Sequence, residues 1–157
     1  MYAIGDKILY PMHGAGIVET IEEKEILGEL RKYYILKVSW GEMKLMIPVD
    51  TSDEIGVRYI ISENEIGQVI DVLKAETSEM PNNWNRRYRE NMDKLKTGDI
   101  LQVAEVVRNL IRTERSKKLS AGEKKVLANA RQILQSELAL AGNMDETSAC
   151  NLVEEAV

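Results

Sequence analysis

The sequence has very few of the residues that most catalytic and metal sites are built from. Its 157 residues include one cysteine, Cys150, and one histidine, His13. One cysteine cannot form an internal disulfide, and these two residues do not provide the Cys/His spacing of a zinc site. No glycine-rich phosphate loop followed by Lys and Ser or Thr occurs either. The sequence therefore predicts no catalytic residues, no metal and no cofactor, and it favours binding over catalysis.

Long apolar runs are missing as well. No run reaches the roughly 18 apolar residues that indicate a membrane-spanning helix. Residues 1–11 also lack the apolar centre of an export signal. A single cysteine is typical of a reducing compartment. We therefore expect a cytoplasmic protein without a membrane partner.

The chain as a whole has no excess of positive charge, because its formal net charge is −5, but the charge is unevenly distributed. Residues 1–75 carry 8 Lys/Arg and 13 Asp/Glu, residues 76–142 carry 13 and 9, and residues 143–157 carry none and 4. Affinity for phosphate depends on local clusters of charge, so the basic middle segment permits binding to nucleic acid. The alternative is that this segment is an ordinary solvated helical surface.

The first 50 residues have the features of short strands separated by glycine turns. Aromatic and β-branched residues alternate in part with polar ones, and turns are expected at residues 14–16, 27–29 and 40–42. Short strands at this spacing predict a small, curled antiparallel barrel. The predicted strands cover residues 7–10, 17–22, 32–38 and 44–48, with a last one near 57–60.

From about residue 62 the apolar spacing becomes that of helices. Ser62 with Glu65, and Ser120 with Glu123, form capping boxes that predict helix starts. Gly142 ends the second of these helices. Two further helices are expected over about residues 84–95 and 100–113.

Strands followed by helices indicate an α+β protein. We expect a β domain over residues 1–55 and a compact all-α domain of four to five helices over residues 62–142. The acidic tail, residues 143–157, is expected to hold a short last helix.

The most informative stretch is Pro-Asn-Asn-Trp-Asn-Arg-Arg-Tyr-Arg-Glu-Asn at residues 81–91. Asn82 or Asn83 can cap a new helix by accepting its free backbone N–H groups. Helical spacing then places four residues on one face: Trp84, Tyr88, Met92 and Leu95. Three arginines flank that face: Arg86, Arg87 and Arg89. Such a stretch is either the end of a core helix or a tool for nucleic acid, with guanidinium groups on phosphates and a ring wedged beside bases.

Separated motifs make the helical half recognisable. In chain order they are Trp84-Asn85-Arg86-Arg87-Tyr88, Gly98-Asp99, residues 103–108, Leu119-Ser120-Ala121-Gly122-Glu123-Lys124 and residues 130–134. Together with residues 5–16, they resemble the CarD/CdnL family of bacterial transcription regulators over about residues 1–140. The transcription-repair coupling factor shares only the N-terminal module, so the helical half favours CarD/CdnL.

The resemblance implies a Tudor-like β-barrel that docks on the β subunit of RNA polymerase and a helical domain that contacts promoter DNA. By matching position, Trp84 would enter the minor groove as a wedge at the upstream edge of the melted −10 region. The implied DNA-binding set is Trp84, Arg86, Arg87, Arg89 and Lys124. Such a factor would shift the equilibrium towards the melted promoter, and nothing in the sequence requires more than a monomer.

The polymerase-facing surface departs from the family pattern at one position. Many members carry an arginine near the end of the fourth strand, where this chain has Met46. The polymerase contacts are therefore assigned to Lys24, Ile26, Lys32 and Met46.

Two other classes of function stay open at this level. A protein–protein adaptor bound to polymerase could use Trp84 and Tyr88 as interface anchors without direct DNA contact. An enzyme would need a pocket around His13 or Cys150.

Overall fold

The computed structural model describes residues 1–38 and 43–157. The predicted turn at residues 40–42 lies outside them. The strands are β1 (Lys7–Tyr10), β2 (Gly14–Ile26), β3 (Glu29–Val38), β4 (Lys44–Pro48) and β5 (Arg58–Tyr59). The helices are α1 (Ser52–Ile55), α2 (Ile66–Lys74), α3 (Trp84–Lys96), α4 (Ile100–Ser116), α5 (Ala121–Gly142) and α6 (Glu146–Ala156). Strands therefore precede helices, and the predicted α+β class with a Tudor-like β half is confirmed.

The strands form one antiparallel sheet in the order β4-β3-β2-β1-β5. The predicted barrel is only partly formed, because within residues 1–38 and 43–157 the sheet is not closed and has β4 and β5 as its edges. Tyr2 of the N-terminal segment bonds to both sides of the gap: its N–H donates to the Tyr34 hydroxyl at 3.0 Å, and its own hydroxyl donates to the Val57 carbonyl at 3.0 Å.

The β2–β3 hairpin is longer than the sequence predicted. Pairing continues to Ile26 opposite Glu29, so the connection has only two residues, Leu27 and Gly28, with φ of 53° and 80°. Positive φ at both positions matches the twist of a tight hairpin. The prediction stopped early because residues 22–25 show no apolar face, and their strand conformation comes from pairing with β3.

The helices pack around a hydrophobic core of their own, which is fully buried at positions such as Val103, Val107 and Leu138. α6 belongs to this core through Val153, so the short last helix expected in the acidic tail is present.

Asn83 caps α3 by accepting the Arg86 N–H at 3.1 Å. The capping box predicted at Ser62 is wrong: a 3₁₀ turn, Glu63–Glu65, forms there, and in the part of the chain that the structure describes the Ser62 side chain makes no capping bond.

The two halves are packed against each other along α5. The backbone N–H of Ala15 donates to Ser136 Oγ at 2.9 Å, and Gly14 lies so close that an added Cβ would stand 2.9 Å from the same oxygen. Leu9 of β1 is part of the helical core. No helix within the described ranges is long and apolar enough to cross a membrane.

Candidate nucleic-acid interface

The N-terminus of α3 carries an exposed pair of aromatic rings. Trp84 and Tyr88 are 42% and 38% exposed, and their ring centroids lie 5.5 Å apart with an angle of 13° between the planes. Further along the predicted face, Met92 is half-buried and Leu95 is buried. The apolar stripe therefore leaves the core towards its N-terminal end, and its two aromatic residues face solvent.

The Trp84 ring is held by the N-terminal turn of α5. Its Nε1 donates a hydrogen bond to Ser120 Oγ at 3.1 Å, and an added Cβ on Gly122 would lie 2.8 Å from the ring. Ser120 is also the N-cap of α5, because its Oγ accepts the Glu123 N–H at 3.2 Å. One hydroxyl thus fixes both the start of α5 and the orientation of the exposed indole.

Arg87 lies underneath this surface. Its Nε is 3.0 Å from Glu123 Oε2, and its Nη1 donates to the Pro81 carbonyl at 3.1 Å. Burial by itself would raise the pKa of Glu123, but the hydrogen bond and charge of Arg87, helped by Ser120, outweigh it and lower the pKa. The Arg87 guanidinium is therefore engaged within the protein, where it joins α3 to α5.

The other residues of the predicted DNA-binding set are exposed. Arg86 projects into solvent and pairs with Glu90, whose Oε1 lies 3.3 Å from its Nε. Arg89 is exposed on α3, and Lys124 is exposed in the first turn of α5. The structure thus brings the α3 and α5 starts together, and with them Trp84 and the turn that carries Lys124.

Three further lysines of this region were missed by the sequence reasoning. Lys117 and Lys118 in the α4–α5 loop and Lys125 in α5 are exposed, and no ion pair to them is found among the residues that the structure describes. They surround the N-terminus of α5, whose free N–H groups add positive potential. Two Lys-Lys pairs on either side of a capping box were a signal that could have identified them.

Much of the remaining positive charge in the helical half is used internally. Arg108 is only 4% exposed and donates to the Val72 carbonyl at 3.0 Å, while Arg112 donates to the Ala75 carbonyl at 2.6 Å. These guanidinium groups satisfy the free carbonyls at the C-terminus of α2, where cations are favourable. Burial lowers the pKa of Arg108. Arg131 and Arg115 bind Glu154 of α6.

The predicted polymerase-binding residues lie on two faces of the sheet. Strand pairing aligns Lys24 with Arg31 and Met46 with Ile35, which places Lys24, Ile26 and Met46 on one face. Lys32 pairs with Glu23 and therefore lies on the opposite face. Ile26 and Met46 are exposed. At the hairpin tip the exposed Leu27, which the sequence reasoning did not single out, extends this apolar surface. The exposed Leu30 pairs with Glu25 and therefore lies on the Lys32 face.

Of the two residues considered for an enzyme, Cys150 lines a cavity of about 280 Å³, and the residues that line it with Cys150 are Gln135, Glu146, Thr147 and Asn151. His13 is exposed beside the ring of Tyr10, at a centroid distance of 4.3 Å, and Cys150 is half-buried on α6. Among the described residues, no group of three or more His, Cys, Asp or Glu side chains could hold a metal ion.

Known protein families and a known relative match nearly the whole chain. The family profile of the CarD-like/TRCF RID domain matches residues 2–61, and that of the CarD C-terminal domain matches residues 68–154. A relative from Bacillus subtilis (strain 168), described as a candidate transcription factor, YdeB, is 44% identical over 138 residues, which are 88% of this chain and 90% of that protein.

Proposed function

The chain belongs to the CarD/CdnL family of transcription regulators, and on this basis we propose that it binds RNA polymerase and stabilises the melted promoter. Trp84 acts as the wedge, entering the minor groove at the upstream edge of the −10 region. The observation that carries this proposal is an exposed indole held in one orientation by Ser120 and Gly122, beside exposed cations.

An indole that is already fixed in its binding orientation binds more tightly than a mobile one, because less conformational entropy is lost on binding. Stacking of a base on an aromatic side chain is worth about 1–3 kcal/mol. Arg86, Arg89 and Lys124 hold phosphates around the wedge. Arg87 does not hold a phosphate; its pair with Glu123 fixes α3 against α5 and so keeps the wedge in place. No base edge is read, so the protein acts at many promoters.

The mechanism is a shift of equilibrium. A wedge that fits only an unstacked junction binds the open complex better than the closed one, and a difference of about 1.4 kcal/mol changes their ratio tenfold. Binding to polymerase raises the effective concentration of the helical half at the junction. Weak DNA contacts therefore suffice for a monomer of net charge −5. The protein works in the cytoplasm, at the nucleoid through polymerase.

The β half docks on the polymerase β subunit. Lys24, Ile26 and Met46 share one face of the sheet, and they form the contact together with the exposed tip of the β2–β3 hairpin. Lys32, on the other face, contacts polymerase only if the partner surrounds the hairpin. An apolar tip with a lysine beside it suits a partner surface that is apolar and acidic.

Trp84→Ala tests the proposal, because Trp84 is exposed and its loss leaves the core of α3 intact. We expect a shorter lifetime of the open complex on a purified promoter, with unchanged binding to polymerase. Ile4→Ala, which removes an exposed apolar side chain elsewhere, should leave the lifetime unchanged. An unchanged lifetime for Trp84→Ala with polymerase still bound would contradict the wedge.

A second candidate function is supported by the same exposed Trp84–Tyr88 pair, since such rings are common anchors of protein interfaces. As an adaptor, the chain would bind polymerase and a second protein without touching DNA. Footprinting separates the two functions: the wedge protects DNA just upstream of the melted region, and the adaptor does not.

A further inference from the structure

A cavity of about 340 Å³ lies at the open seam of the β half. Its lining includes three tyrosines that come from three different parts of the chain, Tyr2, Tyr34 and Tyr59, and one carboxylate, Asp53. Tyr2 precedes β1, Tyr34 lies in β3 and Tyr59 in β5. All the lining residues belong to the β half, so this site is distinct from the α3–α5 surface.

The Tyr2 ring lies edge to face against each of the other two rings. Tyr2 and Tyr34 have centroids 5.6 Å apart and planes at 72°, and Tyr2 and Tyr59 have centroids 5.0 Å apart and planes at 75°. The Tyr2 hydroxyl is occupied by the Val57 carbonyl, and the Tyr59 hydroxyl donates to Asp6 Oδ2 at 3.3 Å. Tyr34 is fully buried behind the other two, while Tyr2 is half-buried and Tyr59 is exposed. Because their hydroxyls are engaged, Tyr2 and Tyr59 offer the cavity mainly their ring surfaces.

The surroundings of these rings are negative. Burial, and next the charge of Asp53, raise the pKa of Tyr2, while the charge of Asp6 raises that of Tyr59. Asp53 is exposed, and no ion pair to it occurs among residues 1–38 and 43–157. Residues 1–75 together carry an excess of five acidic over basic side chains, 13 against 8.

We propose that this cavity binds an organic cation with a methylated ammonium head. The faces of aromatic rings attract cations, and a quaternary or methylated ammonium group is the class that sets of perpendicular rings recognise. Such a group needs few hydrogen bonds, which suits a cavity with engaged hydroxyls and one carboxylate. The ligand is either a small quaternary amine or a methylated lysine side chain of another protein.

Titration of the isotope-labelled full chain with tetramethylammonium, followed by NMR, tests the site directly. We expect saturable shifts confined to the amides around Tyr2, Asp53 and Tyr59. Neopentyl alcohol, a neutral molecule with a similar methylated head, should give much smaller shifts. Equal shifts with both probes, or no saturable shift with the cation, would overturn the proposal.

Matched variants identify the side chains that bind tetramethylammonium. Asp53→Asn and Tyr59→Leu should each weaken tetramethylammonium binding about fivefold, the size expected for one cation–ring or cation–carboxylate contact. Tyr59→Phe keeps the ring and should retain binding. Glu54→Gln removes a neighbouring exposed charge that does not line the cavity and should have little effect. Equal losses for Glu54→Gln and Asp53→Asn would overturn a specific site, and circular dichroism checks that each variant is folded.

Two peptides distinguish the possible sources of the ligand. A short peptide with trimethyllysine that binds more tightly than tetramethylammonium assigns the site to a modified protein, while equal binding assigns it to a small quaternary amine. The same peptide with unmodified lysine should bind several-fold more weakly in either case. If the unmodified peptide binds as well as the methylated one, the methylated-ammonium proposal is wrong.

Discussion

Arg58 of β5 and Glu137 of α5 form a two-pronged ion pair that joins the sheet to the helices. Nη1 lies 2.7 Å from Oε2 and Nη2 lies 2.8 Å from Oε1, and the Glu137 side chain is 0% exposed. Oε2 also accepts the Ile61 N–H at 2.8 Å, and Arg58 Nη2 donates to the Gly98 carbonyl at 2.8 Å. The pair therefore fixes β5, the segment after it and the α3–α4 turn in one arrangement.

Arg58→Met should destabilise the protein because it leaves a buried carboxylate without its partner. We expect the free energy of unfolding to fall by about 3 kcal/mol, measured by urea denaturation near neutral pH. Arg31→Met is the matched control, since it breaks a pair with Asp50 at 2.9 Å on the exposed surface and should change stability little. Similar losses for the two variants would contradict the special role of the Arg58–Glu137 pair.

Ser120→Ala should reduce both stability and promoter activity. It removes the cap of α5, at a cost of about 1 kcal/mol, and releases the Trp84 indole. We expect a shorter open-complex lifetime, measured on a purified promoter. Asp145→Ala removes the equivalent cap of α6, where Asp145 Oδ1 accepts the Ser148 N–H at 2.7 Å, and should leave the lifetime unchanged. A lifetime that falls equally in both would trace the effect to stability alone.

Gly122→Ala should displace the Trp84 ring, because the added Cβ would stand 2.8 Å from it. We expect altered quenching of the Trp84 fluorescence by acrylamide and a shorter open-complex lifetime. Gly67→Ala, on α2, meets nothing within 4 Å and should stabilise the protein by about 0.5–1 kcal/mol without changing either readout. An unchanged lifetime for Gly122→Ala would show that the orientation of the ring does not matter.

Lys117 and Lys118 are expected to bind phosphates beside the wedge. Replacing both by Gln should make the open-complex lifetime less dependent on salt, because each phosphate that a lysine neutralises adds about 0.9 to the logarithmic slope. The double variant Lys7→Gln/Lys74→Gln changes the net charge equally at exposed positions outside this region. Equal changes in slope would indicate a general charge effect in place of local phosphate binding.

Acid should weaken the α3–α5 junction. The pKa of Glu123 is lowered in the folded protein, so its pair with Arg87 contributes stability above the unfolded pKa of about 4.3 and loses it as the pH falls through the folded value. Glu123→Gln should therefore lower stability at neutral pH and reduce its decline in acid. The urea midpoint measured from neutral pH downwards checks this, and parallel curves for both proteins would contradict it.

The candidate surface could be predicted in part. The cap at Asn83, the spacing of Trp84 and Tyr88 and the capping box at Ser120 are local signals, and each is present in the structure. Local signals could not predict that Arg87 is engaged within the protein, because its partner Glu123 lies 36 residues away. Arg108 and Arg112 are similar cases, since they bind carbonyls at the end of α2.

The sequence by itself determined the order of strands and helices, most helix starts, the lack of a zinc-type Cys/His pattern and the family. These properties depend on side-chain periodicity and on neighbours within about one helical turn. Only the tertiary structure decided that the sheet stays open, that Lys32 faces away from Lys24, and that three distant tyrosines share one cavity. Such relationships arise from strand register and packing between segments far apart in the chain, which local patterns do not encode.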